Sequence, residues 1–269
     1  MVVISFSKYE GCGNDFIMID NRNSSFNSTG CIQHLCNRQQ GIGADGLILL
    51  ENSRNADFRM RIFNPDGNEA EMCGNGARCL IKFIQELGIS QEQYQIETMH
   101  KTLTAYPRSG LIRLTMGNPF DVRLNLSLVI ENITYVVHHI DTGVPHLILF
   151  SPDYKSFPLS TLGAKFRNHP QFSPKGVNFN IATVTPSGEI FIRTYERGVE
   201  GETLACGTGC TAAAIAAALL YKLPSPITVH NQVGNLEIAF DVEKGEPVNV
   251  TMTGPATKTF SGTVSTLGF

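Results

Sequence analysis

Two stretches of the chain carry the same succession of hydrophobic and polar positions. Phe58-Arg-Met-Arg-Ile-Phe63 alternates apolar and basic residues, and Ile190-Phe-Ile-Arg-Thr-Tyr195 is β-branched and aromatic. Both predict short strands, because side chains alternate faces along an extended backbone. A polar, glycine-containing loop follows each, then Cys-Gly-x-Gly, then a helical pattern. The first helix is predicted from Ala77 to Leu87, closed by Gly88, and the second from Thr211 to Lys222, stopped by Pro224. The second is apolar on all sides, which predicts a helix buried within a surrounding sheet. Further strand-like segments are Ile96–Thr104, Leu111–Met116, Ile133–His139, His146–Phe150, Ile227–His230 and Leu236–Phe240.

Laid without a gap over Phe191–Ala212, the segment Phe58–Cys79 aligns Phe58 with Phe191, Glu69 with Glu202 and Cys73 with Cys206. It also aligns Gly74 with Gly207 and Gly76 with Gly209. The offset of 133 residues is almost half of the 269-residue chain. Few identities support the overlay, but the order of elements is shared. It predicts two similar α/β halves, each with one cysteine at a helix N-terminus. The boundary is expected near Gly117-Asn118-Pro119, giving an N-terminal domain of 1–117 with Cys73 and a C-terminal domain of 118–261 with Cys206. The last residues, 262–269, are expected to return to the first domain.

Composition narrows the class of protein. With 42% hydrophobic and 17% charged residues, the chain can bury a sizeable core, and it is neither a disordered chain nor a coiled coil. A net charge of −3 without a run of one sign argues against a nucleic-acid binder. The longest apolar stretch, Ala212–Tyr221, is about half of the ~20 residues that a membrane span needs. Seven cysteines, an odd number, and an N-terminus without a basic segment and apolar core fit free thiols in a reducing cytoplasm. Cys206-x₃-Cys210 has the spacing of a structural zinc pair, but no second pair accompanies it.

A helix N-terminus lowers the pKa of a thiol, and its unpaired N–H groups attract an anion such as a carboxylate. The glycines after each cysteine let a ligand approach that backbone closely. Cys73-Gly74-Asn75-Gly76 and Cys206-Gly207-Thr208-Gly209 therefore each read as a thiol beside an anion cradle. Two such sites about one small anionic substrate suit one chemistry. One thiolate removes a proton from the carbon beside a carboxylate, and the other thiol returns one to the opposite face, which is racemisation or epimerisation. A single Cys-Gly-x-Gly would more commonly be structural; the matched second copy favours function. Cys79 and Cys210 read as core or helix-face residues, and Cys12, Cys31 and Cys36 as structural.

These motifs resemble the diaminopimelate epimerase family. The resemblance runs through Lys8-Tyr-Glu-Gly-Cys-Gly-Asn-Asp-Phe16, Gly41-Ile-Gly-Ala-Asp-Gly46 and the stretch from Arg61 through Met72-Cys-Gly-Asn-Gly to Arg78. It continues in Asp141-Thr-Gly-Val-Pro-His146, Gly176-Val-Asn178, Tyr195-Glu-Arg-Gly198, Ala205-Cys-Gly-Thr-Gly209 and Thr253-Gly-Pro-Ala-Thr257. It implies an isomerase without cofactor or metal, acting on LL- and meso-diaminopimelate for lysine and peptidoglycan precursor synthesis. Cys73 and Cys206 would be the acid/base thiols, with His146 and Glu196 tuning them. Asn14, Asn64, Asn178, Glu196 and Arg197 would hold the substrate, Arg197 at its distal carboxylate. Gly74, Asn75, Gly207 and Thr208 would hold the reacting carboxylate through backbone N–H groups. The implied fold is two pseudo-symmetric α/β (α+β) domains, each a curled, mostly antiparallel sheet wrapped around a central helix. The resemblance further implies a homodimer, with Phe260 at its interface.

Two positions depart from the family pattern. Val144 stands where Asn is common, and valine neither donates nor accepts a hydrogen bond. Gly46 stands where some members have Gln. Both imply a less strict pocket, which a shorter acidic amino acid such as glutamate could enter. Other readings of the scaffold are a racemase of another amino acid, a non-catalytic binding protein and a redox sensor in which two facing thiols oxidise to a disulfide.

Overall fold

A computed structural model describes residues 2–24, 26, 29–70 and 72–266. The chain divides into two compact units at Leu114/Thr115 and Thr253/Gly254. In the first unit the elements are β1 (Val2–Gly11), β2 (Asn14–Asp20), α1 (Thr29–Cys36), β3 (Gly46–Glu51), β4 (Phe58–Phe63) and β5 (Glu69–Ala70). Then come α2 (Gly74–Glu86), β6 (Tyr94–Glu97), β7 (Thr102–Arg108) and β8 (Leu111–Thr115). The second unit has β9 (Phe120–Ile130), β10 (Ile133–Asp141), β11 (Pro145–Phe150), α3 (Leu159–Arg167), β12 (Asn178–Val184) and β13 (Ile190–Glu196). It continues with β14 (Gly201–Thr203), α4 (Gly207–Tyr221), β15 (Ile227–Asn231), β16 (Gly234–Glu243) and β17 (Glu246–Gly254). Finally β18 (Thr257–Thr266) belongs to the first unit, where it runs antiparallel to β1.

The pairing rule of one unit is repeated in the other. In the first unit β1/β2 is antiparallel, β2/β3 parallel, β3/β4 antiparallel and β4/β6 parallel. In the second, β10/β11, β11/β12, β12/β13 and β13/β15 follow the same sequence of directions. The runs β6/β7/β8 and β15/β16/β17 are antiparallel. Helix α2 packs on β1–β4, β7 and β18, and α4 on β10–β13, β15 and β16. Every residue of α4 from Gly209 to Ala218 is buried, which is why its sequence needs no polar face. Alanine dominates because small side chains let the strands approach the helix axis on all sides.

Several boundaries differ from the sequence expectation. The return begins at Gly254, eight residues before 262, because β18 pairs along nearly its whole length with β1. The first crossing falls at 114/115 because Met116 N–H donates to Val250 O (2.9 Å), in the second unit. Met1 and residues 267–269, which the expected domains include, lie outside the described residues. The helices begin at Gly74 and Gly207, so Gly-x-Gly forms the first turn. Ile96–Thr104 is not one strand: Thr98 Oγ1 and N–H both bond to Lys101 O, turning the chain between β6 and β7.

The gapless overlay also slips by one residue. Phe63 lies opposite Glu69 and Tyr195 opposite Glu202, so Phe63 corresponds to Tyr195, and the second copy has one extra residue before β14. In the corrected register Arg61 matches Arg193. Arg61 forms a two-pronged ion pair with Glu69 (Nε–Oε1 3.1 Å, Nη2–Oε2 2.8 Å). Arg193 does the same with Glu202 (2.8 and 2.7 Å). Each clamp fastens the central strand to the segment that leads into the cysteine.

Packing constrains the second glycine of the two Cys-Gly-x-Gly copies unequally. A Cβ on Gly76 would lie 2.7 Å from Ile48 Cδ1, a side-chain tip that can move. On Gly209 it would lie 2.4 Å from Oδ1 of Asn180, an amide held by hydrogen bonds. Alanine gains about 1 kcal/mol of helix propensity over glycine, whereas forced overpacking costs roughly 1–3 kcal/mol. Gly76→Ala is therefore expected to stay within about 1 kcal/mol of the parent. Gly209→Ala should be clearly destabilised; urea midpoints compare the two, and equal midpoints would refute the packing argument.

Candidate active site

Both cysteines are helix N-caps in extended conformation: Cys73 at φ −136°, ψ 119° and Cys206 at φ −127°, ψ 106°. The first i→i−4 bonds are Ala77 N–H to Cys73 O (2.8 Å) and Cys210 N–H to Cys206 O (2.9 Å). The N–H groups of Gly74 and Asn75, and of Gly207 and Thr208, therefore come before the helical ladder and point out of the helix end. They are suited to an anion there. The side chain of Asn75 turns inward, its Oδ1 accepting from Arg78 Nη2 (2.9 Å), which leaves its backbone for that task. Arg78, fully buried, also donates from Nε to Pro255 O (3.0 Å) and so ties the returning chain to α2.

In the first unit Cys73 Sγ donates to Asn14 Oδ1 (3.5 Å). The orientation of that amide is fixed from its other end, where Nδ2 donates to Asp45 Oδ2 (2.8 Å). A carboxylate can only accept, so the oxygen of Asn14 must face the thiol. Asp45 does not stand out in the sequence, because this contact spans 31 residues. Behind Asn14, Asp15 is gripped by Lys8 Nζ (2.8 Å) and by both terminal nitrogens of Arg38 (3.1 and 2.8 Å). Lys8 also donates to the Gly43 carbonyl. Burial raises the Asp15 carboxyl, but hydrogen bonds from Arg38, Lys8 and the Asp45 N–H outweigh it and bring it down to about 2.

Such a lowered carboxyl stabilises the fold above its unfolded pKa of about 4 and loses that contribution as pH falls toward 2. With Arg38 exposed, screening leaves on the order of 1–2 kcal/mol. Acid titration of stability should show this loss between about pH 4 and 2, and Asp15→Asn should remove it. An unchanged titration in that variant would contradict the assignment.

Asn64, expected to touch substrate, is exposed at a tight turn in which Gly67 N–H donates to its carbonyl (2.9 Å). Gly46, expected to loosen the pocket, leaves no open slot beside its own backbone: a Cβ there would lie 2.7 Å from the Phe63 carbonyl. Phe260, on β18, is half exposed and meets Phe6 edge-on, with centroids 5.9 Å apart.

In the second unit the Cys206 thiol is buried near the Glu196 carboxyl, whose Oε1 accepts from Thr203 Oγ1 (2.5 Å). Thr208 Oγ1 lies 3.5 Å from Cys206 Sγ. The helix end was expected to lower this thiol, but burial first, and then the Glu196 charge, push it well above the usual thiol range. Hydrogen bonds from Thr208 and the Gly209 N–H oppose this and lose, because a fully desolvated thiolate is expensive. Burial also raises the Glu196 carboxyl, against hydrogen bonds from Thr203 and Cys206. Cys206 is thus held as a protonated thiol beside a carboxyl group.

Asn178 Oδ1 accepts the Arg197 N–H (2.8 Å), so its NH₂ group faces away as a donor. Arg197 Nη1 reaches the Gly176 carbonyl (3.5 Å). Thr142 Oγ1 donates to Thr208 O (3.3 Å), fastening the turn that carries Val144 to the first turn of α4. His146, on β11, is completely buried, and burial, followed by the charges of His139 and Arg197, lowers its pKa to about 3. It is therefore a neutral imidazole, held by Asn180 and not by a thiol of its own unit. Cys79 and Cys210 are fully buried on their helices. Among the described residues no helix is long and apolar enough to cross a membrane.

Comparison with known proteins adds the family. The family model for diaminopimelate epimerase matches residues 6–119 and 138–259. The chain is 42% identical to the diaminopimelate epimerase of Flavobacterium psychrophilum over 263 residues, covering 96% of this chain and 98% of that protein. It is 39% identical to that of a Synechocystis species over 283 positions, covering 97% and 99%. In fold it is similar to a PhzF-family phenazine biosynthesis protein of Bacillus anthracis, with a TM-score of 0.75 at 16% identity over 99% of this chain and 100% of that one. A probable proline racemase from Agrobacterium radiobacter shares the fold with a TM-score of 0.68 at 17% identity, covering 97% and 93%.

Proposed function

The chain belongs to the diaminopimelate epimerase family, and we propose that it interconverts LL- and meso-diaminopimelate through the thiols of Cys73 and Cys206. It is an isomerase. The observation that carries the mechanism is the repeated one: two cysteines cap two helices with nearly the same backbone angles, in units of the same strand order. One sulfur, as thiolate, takes the α-proton; the other, as thiol, gives one to the opposite face of the same carbon. Cys206, kept protonated by burial and Glu196, is ready as the acid. For the reverse direction the two exchange roles.

An amino-acid Cα–H is far less acidic than a thiol, so most of the rate must come from stabilising the enediolate. The outward N–H groups of Gly74, Asn75, Gly207 and Thr208 supply preorganised donors worth a few kcal/mol each. General acid–base action adds roughly 10²–10⁴-fold. Asn14, Asn64, Asn178 and Arg197 hold the rest of the substrate, with Arg197 on the distal carboxylate. The product feeds lysine and peptidoglycan precursor synthesis in a reducing cytoplasm, and the protein works as a homodimer with Phe260 at its interface.

Reduced protein should convert LL-diaminopimelate to the meso form with no cofactor added, read by chiral chromatography. Failure of a folded, reduced sample to do so would refute the substrate. Val144 favours a second, weaker activity on glutamate, since a donor and acceptor is missing from the turn beside Thr208. Glutamate should then exchange its α-proton slowly in D₂O; exchange at background with an active sample would refute this activity.

A further inference from the structure

The parallel pair β11/β12 places a second asparagine, Asn180, two residues beyond Asn178. Asn180 is completely buried, and both polar atoms of its side chain are engaged. Nδ2 donates to the Leu147 carbonyl at 2.8 Å, and Oδ1 accepts from Thr194 Oγ1 at 2.9 Å. A backbone carbonyl can only accept, so the amide has one possible orientation. Its NH₂ group then also faces Nδ1 of His146, 3.2 Å away. An N–H donor can meet only a bare ring nitrogen, which leaves the ring proton on Nε2. That Nε2 is buried and has no hydrogen-bond partner among the described residues. Gly209, by lacking a Cβ, leaves room for the Asn180 carbonyl beneath the first turn of α4.

We propose that Asn180 is a positioning residue that locks His146 as the Nε2–H tautomer, making it a neutral hydrogen-bond donor toward an anion formed or bound during the reaction. In this role His146 takes no proton: a nitrogen that carries hydrogen cannot act as base, and the bare one is occupied. Burial first, and then the coulombic effects of His139 on β10 and Arg197 in the turn after β13, act against the imidazolium form. The acceptor is a thiolate or a substrate carboxylate, both of which need a preorganised donor in a desolvated site. The kinetic part of this inference rests on the cysteine mechanism above; the tautomer does not.

The test is ¹⁵N–¹H correlation spectroscopy of the histidine rings in the full-length protein. For His146 it should show a bare Nδ1 and a protonated Nε2 at neutral pH. A proton on Nδ1, or a doubly protonated ring, would overturn the lock. Raising the pH without substrate should shift the Nε2 resonance if a thiolate is the acceptor, and adding diaminopimelate at neutral pH should do so if a carboxylate is. No response to either would overturn the donor role. Asn180→Asp places a carboxylate against Nδ1 and should draw the ring proton there. Turnover should fall roughly tenfold or more with KM little changed. Should that variant not fold, Asn180→Ala, expected to give a mixture of tautomers and reduced kcat, replaces it. A folded variant with the parent tautomer and kcat would refute the assignment. Absence of turnover in the parent protein would instead refute the proposed function and leave the tautomer to be read by itself.

Discussion

Serine in place of Cys73 or Cys206 is expected to lower kcat for diaminopimelate epimerisation by roughly 10²–10⁴-fold in each case. The side chains are nearly the same size, so the fold should be kept. What changes is the acid: a hydroxyl gives up its proton far less readily than a thiol, whose pKa is near ~8.5. Both losses should be large because each direction of the reaction uses one sulfur as base and the other as acid. The double variant should be only slightly worse than either single one, since groups that act as a unit are not additive. Circular dichroism and steady-state kinetics on the three proteins check this. Near-parental turnover in either single variant would overturn the two-thiol assignment.

Glu196→Gln is expected to have the next largest effect, and its sign follows from the site. After burial, the Glu196 charge is the main cause that raises the Cys206 thiol. Glutamine keeps a partner for Thr203 but removes the charge, so the thiol pKa must fall. Opposite or like charges at such range move a pKa by roughly 1–3 units. The limb of the kcat/KM–pH profile that reports Cys206 should therefore move to lower pH by about that amount. The rate in the direction that uses Cys206 as acid should drop about tenfold or more, because the thiol is less firmly kept protonated without the neighbouring charge. A limb that stays in place, or moves to higher pH, would show that Glu196 does not control this thiol.

Much of the site is legible in the sequence because the signal is local. An N-cap cysteine followed by Gly-x-Gly and an apolar helix is a pattern within one turn, and it occurs twice. The all-apolar stretch of α4 likewise announces a buried helix. What is not legible depends on neighbours across the sheet. Asp45 orients Asn14 from 31 residues away, and Asn180 orients His146 from 34. Nothing in the one-dimensional pattern marks either. Taken alone, His146 would read as an ordinary histidine after a proline and Glu196 as a solvated carboxylate. The fold buries the first fully and sets the second on a thiol.

The slip in the repeat has a similar origin. The identities at the start of the helices fix one offset, while the strands before them keep another, because the turn between β13 and β14 carries one more residue. Only strand pairing reveals that Arg61 and Arg193 are equivalent and clamp Glu69 and Glu202. The motif also points the wrong way for the Cys206 thiol. A helix end favours a thiolate, but desolvation of a buried sulfur outweighs it, and the depth of burial cannot be read from the motif. The extent of β18 is hidden in the sequence because its partner, β1, lies at the other end of the chain.

The most direct test of the central claim follows isotope at the α-carbon. Reduced enzyme and LL-diaminopimelate are mixed in D₂O, and the first few per cent of reaction is read by NMR. With two thiols, the sulfur that takes hydrogen from one face is not the one that delivers to the other. The first meso product should therefore carry solvent deuterium at its inverted α-carbon, while the remaining LL substrate is still unlabelled. Early meso product that keeps its original α-hydrogen would mean one group working on both faces, and the pairing of Cys73 with Cys206 would be wrong.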